Sequence, residues 1–434
     1  MPDAAPPDMW DIIVIGGGPA GLAAATRLRE LGVDKVLVLE REPEAGGIPR
    51  HCGHPPFGMR EFQRILTGPA YARRLVSRAL AAGVHIRTQT DVVRIAEGGR
   101  LSITSADGLA ELCGRRVLLA TGTRETPRSA RLVGGRRPLG VMSTGALQSL
   151  VYLGNRVPFR RPVIVGTELV SFSTLLTCWR AGIRPVAMIE GNDRPTAWRL
   201  SALLPRLLGI PLLYRSRVTR IEGAARVESV EVEMPEGPRT ISCDGALFTG
   251  CFTSEATLAR MGHLDVDPLS SGPVIDQYGR CSDPVYFAAG NVLRPVETAG
   301  RCWQEGYDLA AVIAADLAGR LPARTTVVPV RVAAPLKYAV PQQIAFPLAE
   351  GGLRHIQLRW QRAASGRLEI ADSTGAVFGR HISALPERRV LLPLDRLLRG
   401  SPCRELDIRF RETGEEGSGS LVSVNKTEQL KQGN

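Results

Sequence analysis

Near the amino end, apolar positions fall in short unbroken runs. Asp11 to Ile15 forms one run and Val36 to Leu39 another, and the stretch between them, Leu22 to Leu31, has helical spacing until Gly32 stops it. Unbroken apolar runs alternating with a helical period predict parallel strands covered on both faces. Arg115 to Gly122 (RRVLLATG) and Val285 to Asn291 (VYFAAGN) repeat the theme, each a buried strand ending in small residues. Arg161 to Val165 predicts another strand, with its helix over Thr174 to Gly182, and Glu297 to Gly300 leads into a long helix reaching about Ala318. Beyond Leu321 the period changes. Residues 355–360, 389–392, 406–410 and 421–424 alternate apolar with polar, which predicts a small antiparallel β domain, and residues 426–434 read as a tail.

Composition narrows the class. A chain of 434 residues with 44% hydrophobic content buries a large core, and no apolar run approaches the roughly 20 residues of a membrane span. The first residues, MPDAAPPDMWD, lack the basic and apolar regions of a secretory signal. The net charge of +12 comes from Arg spread along the chain, with no compact basic run carrying aromatics, so a nucleic-acid partner is not expected. Eight scattered cysteines include no pair separated by two residues, which speaks against zinc ribbons and CxxC redox pairs and for reduced thiols in a cytoplasm.

The first strand runs into Gly16-Gly17-Gly18-Pro19-Ala20-Gly21, and the second ends in Glu40. Strand, glycine turn, helix, strand and acid form the fingerprint of a dinucleotide site. Gly16 permits the tight turn, Gly18 lets amides approach a diphosphate, Gly21 lets the helix lie close, and Glu40 accepts from a ribose. Farther on, the loop PRHCGHPPFG places His51, Cys52 and His54 within four positions. These side chains read as metal ligands, as acid–base or substrate-contact groups, or as groups held within a Pro/Gly-rich loop. No fourth ligand is advertised, so no metal is expected, and the other two readings stay open.

The glycine turn with Glu40, the Ala120-Thr121-Gly122 turn and the Ala288-Ala289-Gly290-Asn291 turn resemble the two-dinucleotide-domain flavoproteins related to thioredoxin and glutathione reductases. Within that group, PRHCGHPPFG and ATGTRETPRSARLVGG resemble the flavin subunits of opine oxidase, hydrogen cyanide synthase and hydroxyproline dehydrogenase. The resemblance implies an α/β fold: two Rossmann-like domains, the FAD domain discontinuous over 1–125 and 245–325, a nicotinamide-dinucleotide-like domain over 126–244, and a mainly-β domain over 326–425. It implies FAD on Gly16, Gly18, Pro19, Ala20, Gly21, Glu40, Arg41 and Gly47, adenine near Val92, and further contacts from Thr121, Gly122, Gly290, Asn291, Thr298 and Ala299. His51, Cys52 and His54 are then the catalytic candidates beside the ring, and Arg50 or Arg124 either a holder of an anionic substrate group or a structural surface charge.

Three departures shape the functional expectation. Cys52 stands alone where a disulfide reductase needs a pair, and Asn291 replaces the usual Asp. In the second fingerprint, Gly166-Thr167-Glu168-Leu169-Val170-Ser171, only the first glycine survives, so NAD(H) binding stays open, with Glu190 available for a ribose. The implied activity is an FAD-dependent oxidoreductase subunit acting on a small amine, amino acid or hydroxy compound. Its electrons would pass to a partner subunit, a second flavoprotein or an iron–sulfur protein, since Cys403 is the only cysteine past Cys302. The alternatives are an NADH-dependent reductase of a carrier or quinone, and an electron-transfer or scaffold subunit with structural FAD.

Overall fold

The computed structural model describes residues 8–197, 199–372, 375–397 and 404–413. Its first sheet centres on the strand Asp8–Ile15, which pairs in parallel with Val36–Leu39 on one side and Gly108–Leu119 on the other. His85–Arg87 extends one edge, while Asp91–Ala96 and Arg100–Ser105 fold back antiparallel onto Gly108–Leu119. Ile12, Ile13 and Val14 are fully buried because helices or loops cover both faces, which is why the run is continuous. Much later the chain returns: Tyr286–Ala288 pairs in parallel with Val117 to Leu119.

Between departure and return the chain builds a second, five-stranded parallel sheet, ordered Leu212–Leu213, Ala187–Ile189, Pro162–Val165, Gly245–Phe248 and Val141–Ser143. An antiparallel sheet of Arg217–Glu222, Ser229–Glu233 and Arg239–Ser242, joined by Gly134–Gly135, covers part of it. Two short strands, Thr123–Glu125 going out and Phe252–Ser254 coming back, cross between the two folds. The expected division at residue 245 therefore moves: Gly245–Phe248 is hydrogen-bonded to Pro162–Val165, and the return follows it. The helix expected over 174–182 begins earlier, at Leu169, because Glu168 adopts the extended geometry of an N-cap.

The carboxy-terminal part is mainly β, as its alternation predicts. Gln343–Phe346, Thr326–Val332, Leu406–Glu412, Ala364–Asp372 and Gly375–Ala384 form one sheet, and Leu336–Val340, His355–Trp360 and Val390–Pro393 a second. Trp360, Leu358, Leu368, Ile370 and Ile408 fill the space between them. The expected strand at 421–424 and the tail at 426–434 lie outside the described residues. Among the described residues, no helix is long and apolar enough to cross a membrane.

Glycine sits inside the long helix Ala299–Leu317, where intrinsic propensity disfavours it by about 1 kcal/mol relative to alanine. Packing decides the matter: a Cβ on Gly306 would overlap the carbonyl oxygen of Ala20 in the facing helix Pro19–Glu30. Replacing Gly306 by Val must push the two helices apart. Overpacking of this kind costs about 1–3 kcal/mol, so G306V is expected to lower the urea midpoint of unfolding. An unchanged midpoint would refute this account of the helix pair.

Candidate functional site

The turn after the first strand is held by backbone contacts that exclude side chains. Gly16 has φ +108°, and a Cβ there would sit 2.5 Å from the Ala120 carbonyl oxygen. One on Gly21 would overlap the carbonyl oxygen of Gly16. Gly18 differs: it caps the helix Pro19–Glu30 with φ −83°, and its nearest neighbour to an added Cβ is the Gly47 Cα at 4.0 Å. Open space therefore faces a helix N-terminus whose first turn carries no acid. Glu40, nearly buried, is aimed at the same turn, accepting from the amides of Gly17 and Glu42, each at 3.0 Å.

From this turn a cleft of about 2300 Å³ runs between the first fold, the crossing strands and the β domain. Gly16, Gly18, Pro19, Ala20, Glu40, Arg41, Gly47, Val92, Thr121, Gly122, Asn291, Thr298 and Ala299 all line it, as do His51, Cys52 and His54. Gly21 and Gly290 do not. Gly21 packs behind the turn, and Gly290, with φ +81°, is pressed between Ala20 and the helix bearing Glu305, whose carboxylate accepts from its amide at 3.2 Å. Their contribution is close approach of backbone, not surface.

Three side chains behave differently from expectation. Asn291 donates from Nδ2 to the carbonyl of Glu297 at 3.1 Å and accepts from the Glu297 amide at 2.7 Å. An ionised aspartate could not do both, which gives asparagine a structural reason at this position. Arg50 and Arg124 are engaged in ion pairs, with Glu44 at 3.6 Å and Glu255 at 3.4 Å. On the neighbouring turn, Thr121 donates to the carbonyl of Glu255 at 2.6 Å.

The histidine loop closes against the second fold. Cys52 lies 3.4 Å from the Ile48 carbonyl oxygen and 3.5 Å from Oε1 of Gln148, and burial together with the charge of Glu125 pushes its thiol up to about 12. Burial thus favours the protonated thiol over the nucleophilic thiolate. Burial and the neighbouring Arg50 hold His51 down at about 4, and among the described residues its Nε2 is buried without a partner. His54 stays on the cleft wall, its Nδ1 3.0 Å from the Pro55 carbonyl oxygen and its ring 5.6 Å from that of Phe57.

Sequence reasoning overlooked Glu125. It lies on the outgoing crossing strand, lines the cleft, accepts from the amides of Gly145 at 2.8 Å and Gly250 at 3.1 Å, and has its carboxyl raised by burial. The only available signal was a carboxylate a few residues after a strand end, which marks nothing until the crossing strands are paired. Glu297 was passed over as a charge as well. It is buried and meets Gln357 Nε2 at 2.7 Å, Arg359 at 2.8 Å, Arg389 at 3.6 Å and Arg301 at 3.7 Å, fastening the β domain over the cleft.

The open space at Gly18, the uncharged helix start, Glu40 at the strand end and the unpartnered His51 at the cleft's far end fit a flavin dinucleotide. The family model for pyridine nucleotide-disulphide oxidoreductases matches residues 10–309. The chain belongs to this family. It is similar to an opine oxidase subunit of Rhizobium meliloti (strain 1021), 32% identical over 184 residues that cover 42% of this chain and 39% of that one. The corresponding opine oxidase subunit of Agrobacterium tumefaciens (strain Ach5) is 24% identical over 360 residues, 73% of this chain and 65% of that one. The match thus spans less than two thirds of these relatives. Thioredoxin reductase of T. acidophilum shares the fold, with TM-score 0.58 and 20% identity over 71% of this chain and 98% of that one. Members of this family use FAD, and the residues of the cleft suit it.

Two measurements probe the site. Because an added Cβ at Gly18 meets no protein atom closer than 4.0 Å, Gly18→Val should leave the fold intact while filling the diphosphate seat. The expected result is an unchanged melting temperature of flavin-free protein with at least tenfold weaker FAD binding, since blocking one charge-assisted contact already costs about 1.5–3 kcal/mol; unaltered affinity would put the diphosphate elsewhere. The second concerns His51. Its folded value near 4 lies below the ordinary histidine value of 6.5, so the unfolded chain binds the extra proton first and the stability contributed above pH 6.5 is lost as pH falls towards 4. In His51→Gln this component of the pH slope should vanish between pH 6.5 and 4, read from urea midpoints against the parent; parallel slopes would contradict a buried, neutral imidazole.

Proposed function

We propose that this chain is the FAD-bearing subunit of an oxidoreductase that oxidises a small amine, amino acid or hydroxy compound in the cleft and hands the electrons to a partner subunit. What carries the reading is the chemistry lining the cleft: the neutral imidazole of His51, the buried carboxyl of Glu125 and the protonated thiol of Cys52, a free cysteine. Dithiol exchange needs a thiolate, and burial favours the protonated thiol of Cys52.

Bound FAD supplies the two-electron acceptor. The chain's own groups then have three tasks. Gly16, Gly18, Pro19, Ala20, Gly47 and Gly122 would admit the dinucleotide backbone, with Gly21 and Gly290 setting the approach, Glu40 and Arg41 on the adenosine side, Val92 beside adenine, and Thr298 and Ala299 presenting the start of the long helix. The imidazole of His51, kept unprotonated by burial, would accept the proton that a substrate N–H or O–H must lose as its carbon is oxidised. Cys52 and His54 would shape the wall beside it. The β domain, with Lys337 and Arg388 on the cleft, would exclude water and limit substrate size.

The similarity to opine oxidase subunits supports a multi-subunit setting, and a cytoplasmic one agrees with the unpaired thiols of the sequence. A partner carrying an iron–sulfur centre or a second flavin would receive the electrons.

The decisive experiment is an absorbance spectrum of the purified chain followed by anaerobic titration with amines, amino acids and hydroxy acids. A yellow protein bleached stoichiometrically by one of these classes, with at least tenfold slower bleaching in His51→Phe, is the expected result. A yellow protein indifferent to every donor class would remove substrate oxidation from this chain and leave electron transfer.

A further inference from the structure

The chain contains the same crevice twice, and the two copies differ. In an open parallel sheet a dinucleotide lies outside the carboxyl ends of the strands, where neighbouring loops part. In the first fold those loops are Gly16 to Gly18 and Ala120 to Gly122. Both sides are open: an added Cβ meets nothing nearer than 4.0 Å at Gly18 and nothing within 4 Å at Gly122. In the second fold the corresponding loops are Gly166 to Glu168, after Pro162–Val165, and Thr249 to Cys251, after Gly245–Phe248.

We infer that Glu168 occupies the diphosphate seat of the second fold, so that this crevice takes neither NADH nor NADPH. The side chain does not turn out to solvent. Its Oε1 accepts from the Cys251 amide at 2.8 Å, bridging the two loops across the crevice, and a Cβ on Gly250 would overlap its carboxyl carbon. Arg131 braces the far side, donating to the carbonyls of Thr249 at 2.9 Å and Gly250 at 2.8 Å; burial raises the Glu168 carboxyl, and the Cys251 amide, Arg131 and Lys337 draw it back towards the charged form. A diphosphate entering here meets an anion already holding the amide it would use. Like charges in a partly dry crevice repel strongly.

The ribose end is closed in the same manner. Glu190 corresponds to Glu40, but where Glu40 accepts from two backbone amides and borders the cleft, Glu190 takes four protein donors. Asn192 supplies its amide at 2.9 Å and its Nδ2 at 2.8 Å, and the hydroxyls of Thr167 and of Thr196 take the other oxygen. A carboxylate offers about four acceptor sites, so a ribose hydroxyl must displace one of these protein donors. The second fold keeps its architecture as the wall of the cleft while its ligand places are filled from within, and reducing equivalents must enter by another route.

This inference does not depend on which donor the chain oxidises, and it is tested without turnover. Titrate the flavin-loaded protein with NADH and with NADPH, following enhanced nicotinamide fluorescence or heat of binding for occupancy and flavin absorbance for integrity. The parent protein is expected to show no saturable binding of either. Glu168→Gly is expected to gain measurable NADH binding, and Glu168→Gln, which keeps the shape and removes the charge, to gain less. Saturable binding by the parent overturns the inference, and so does a correctly folded, flavin-loaded Glu168→Gly variant that gains none.

Discussion

Backbone lying directly on backbone at the first glycine turn is the constraint on which the remainder depends. Gly16 against Ala120, Gly21 against Gly16, and Gly306 against Ala20 bring two strands and two helices together with no side chain between them. That contact points the start of the helix Pro19–Glu30 at the mouth of the cleft, leaves Gly18 facing open space, and places Glu40 where its carboxylate reaches the Gly17 amide. A methyl group at any of the three glycines would separate elements whose positions define this turn. The glycines impose a local entropy cost, and buried apolar surface around Leu22, Val38 and Ile313 offsets it.

The same topology, repeated without that glycine set, has a different outcome. Thr167 and Ser171 stand where Gly17 and Gly21 stand in the first fold, and each hydroxyl has found a partner: Thr167 the carboxylate of Glu190, Ser171 the hydroxyl of Thr249 at 2.6 Å. Once side chains enter the turn, their polar atoms must be satisfied inside the protein, since a buried polar group without a partner costs more than the bond it could make. Filling a ligand seat and satisfying the residues that fill it are one process. The parallel sheet survives because its stability comes from Ile164, Leu247 and Met188, which are buried whether or not anything binds at the strand ends.

How much of this was legible beforehand depended on range along the chain. The first strand, turn, helix, strand and acid lie within about thirty consecutive residues, and each feature had a mechanical meaning in the sequence, so the glycine turn and its acid could be found without a structure. The return strand at Tyr286–Ala288 was visible as a buried run ending in small residues. What could not be read was pairing. Gly245–Phe248 looked like the start of the return but belongs to the second sheet, because register with Pro162–Val165 is decided in three dimensions. Glu125 and Glu297 carried no signal of their own, since burial of a carboxylate depends on amides and guanidinium groups that arrive from distant segments. Asn291 was legible only as a contact for the flavin's ribityl portion, and its bonds to two backbone groups of Glu297, six residues away, were not.

The attachment of the β domain follows from the same logic of buried charge. Glu297 sits at the start of the long helix, with Arg359 and Gln357 from the β domain on one oxygen and Arg301 and Arg389 near the other. Taking a carboxylate out of water costs several kcal/mol, and the ion pairs do little more than repay it, so this cluster is weak evidence of stability. Its consequence is specificity of placement. A nonpolar interface tolerates sliding by a residue or two, whereas a buried carboxylate leaves its arginines unsatisfied in any other position. Tyr338 donating to the Pro295 carbonyl at 2.8 Å and Gln277 paired with Ala345 in both directions at 2.7 Å fix the same interface at two further points. The β domain is thereby held as a wall with Lys337 and Arg388 lining the cleft, in the part of the chain that the family model does not cover.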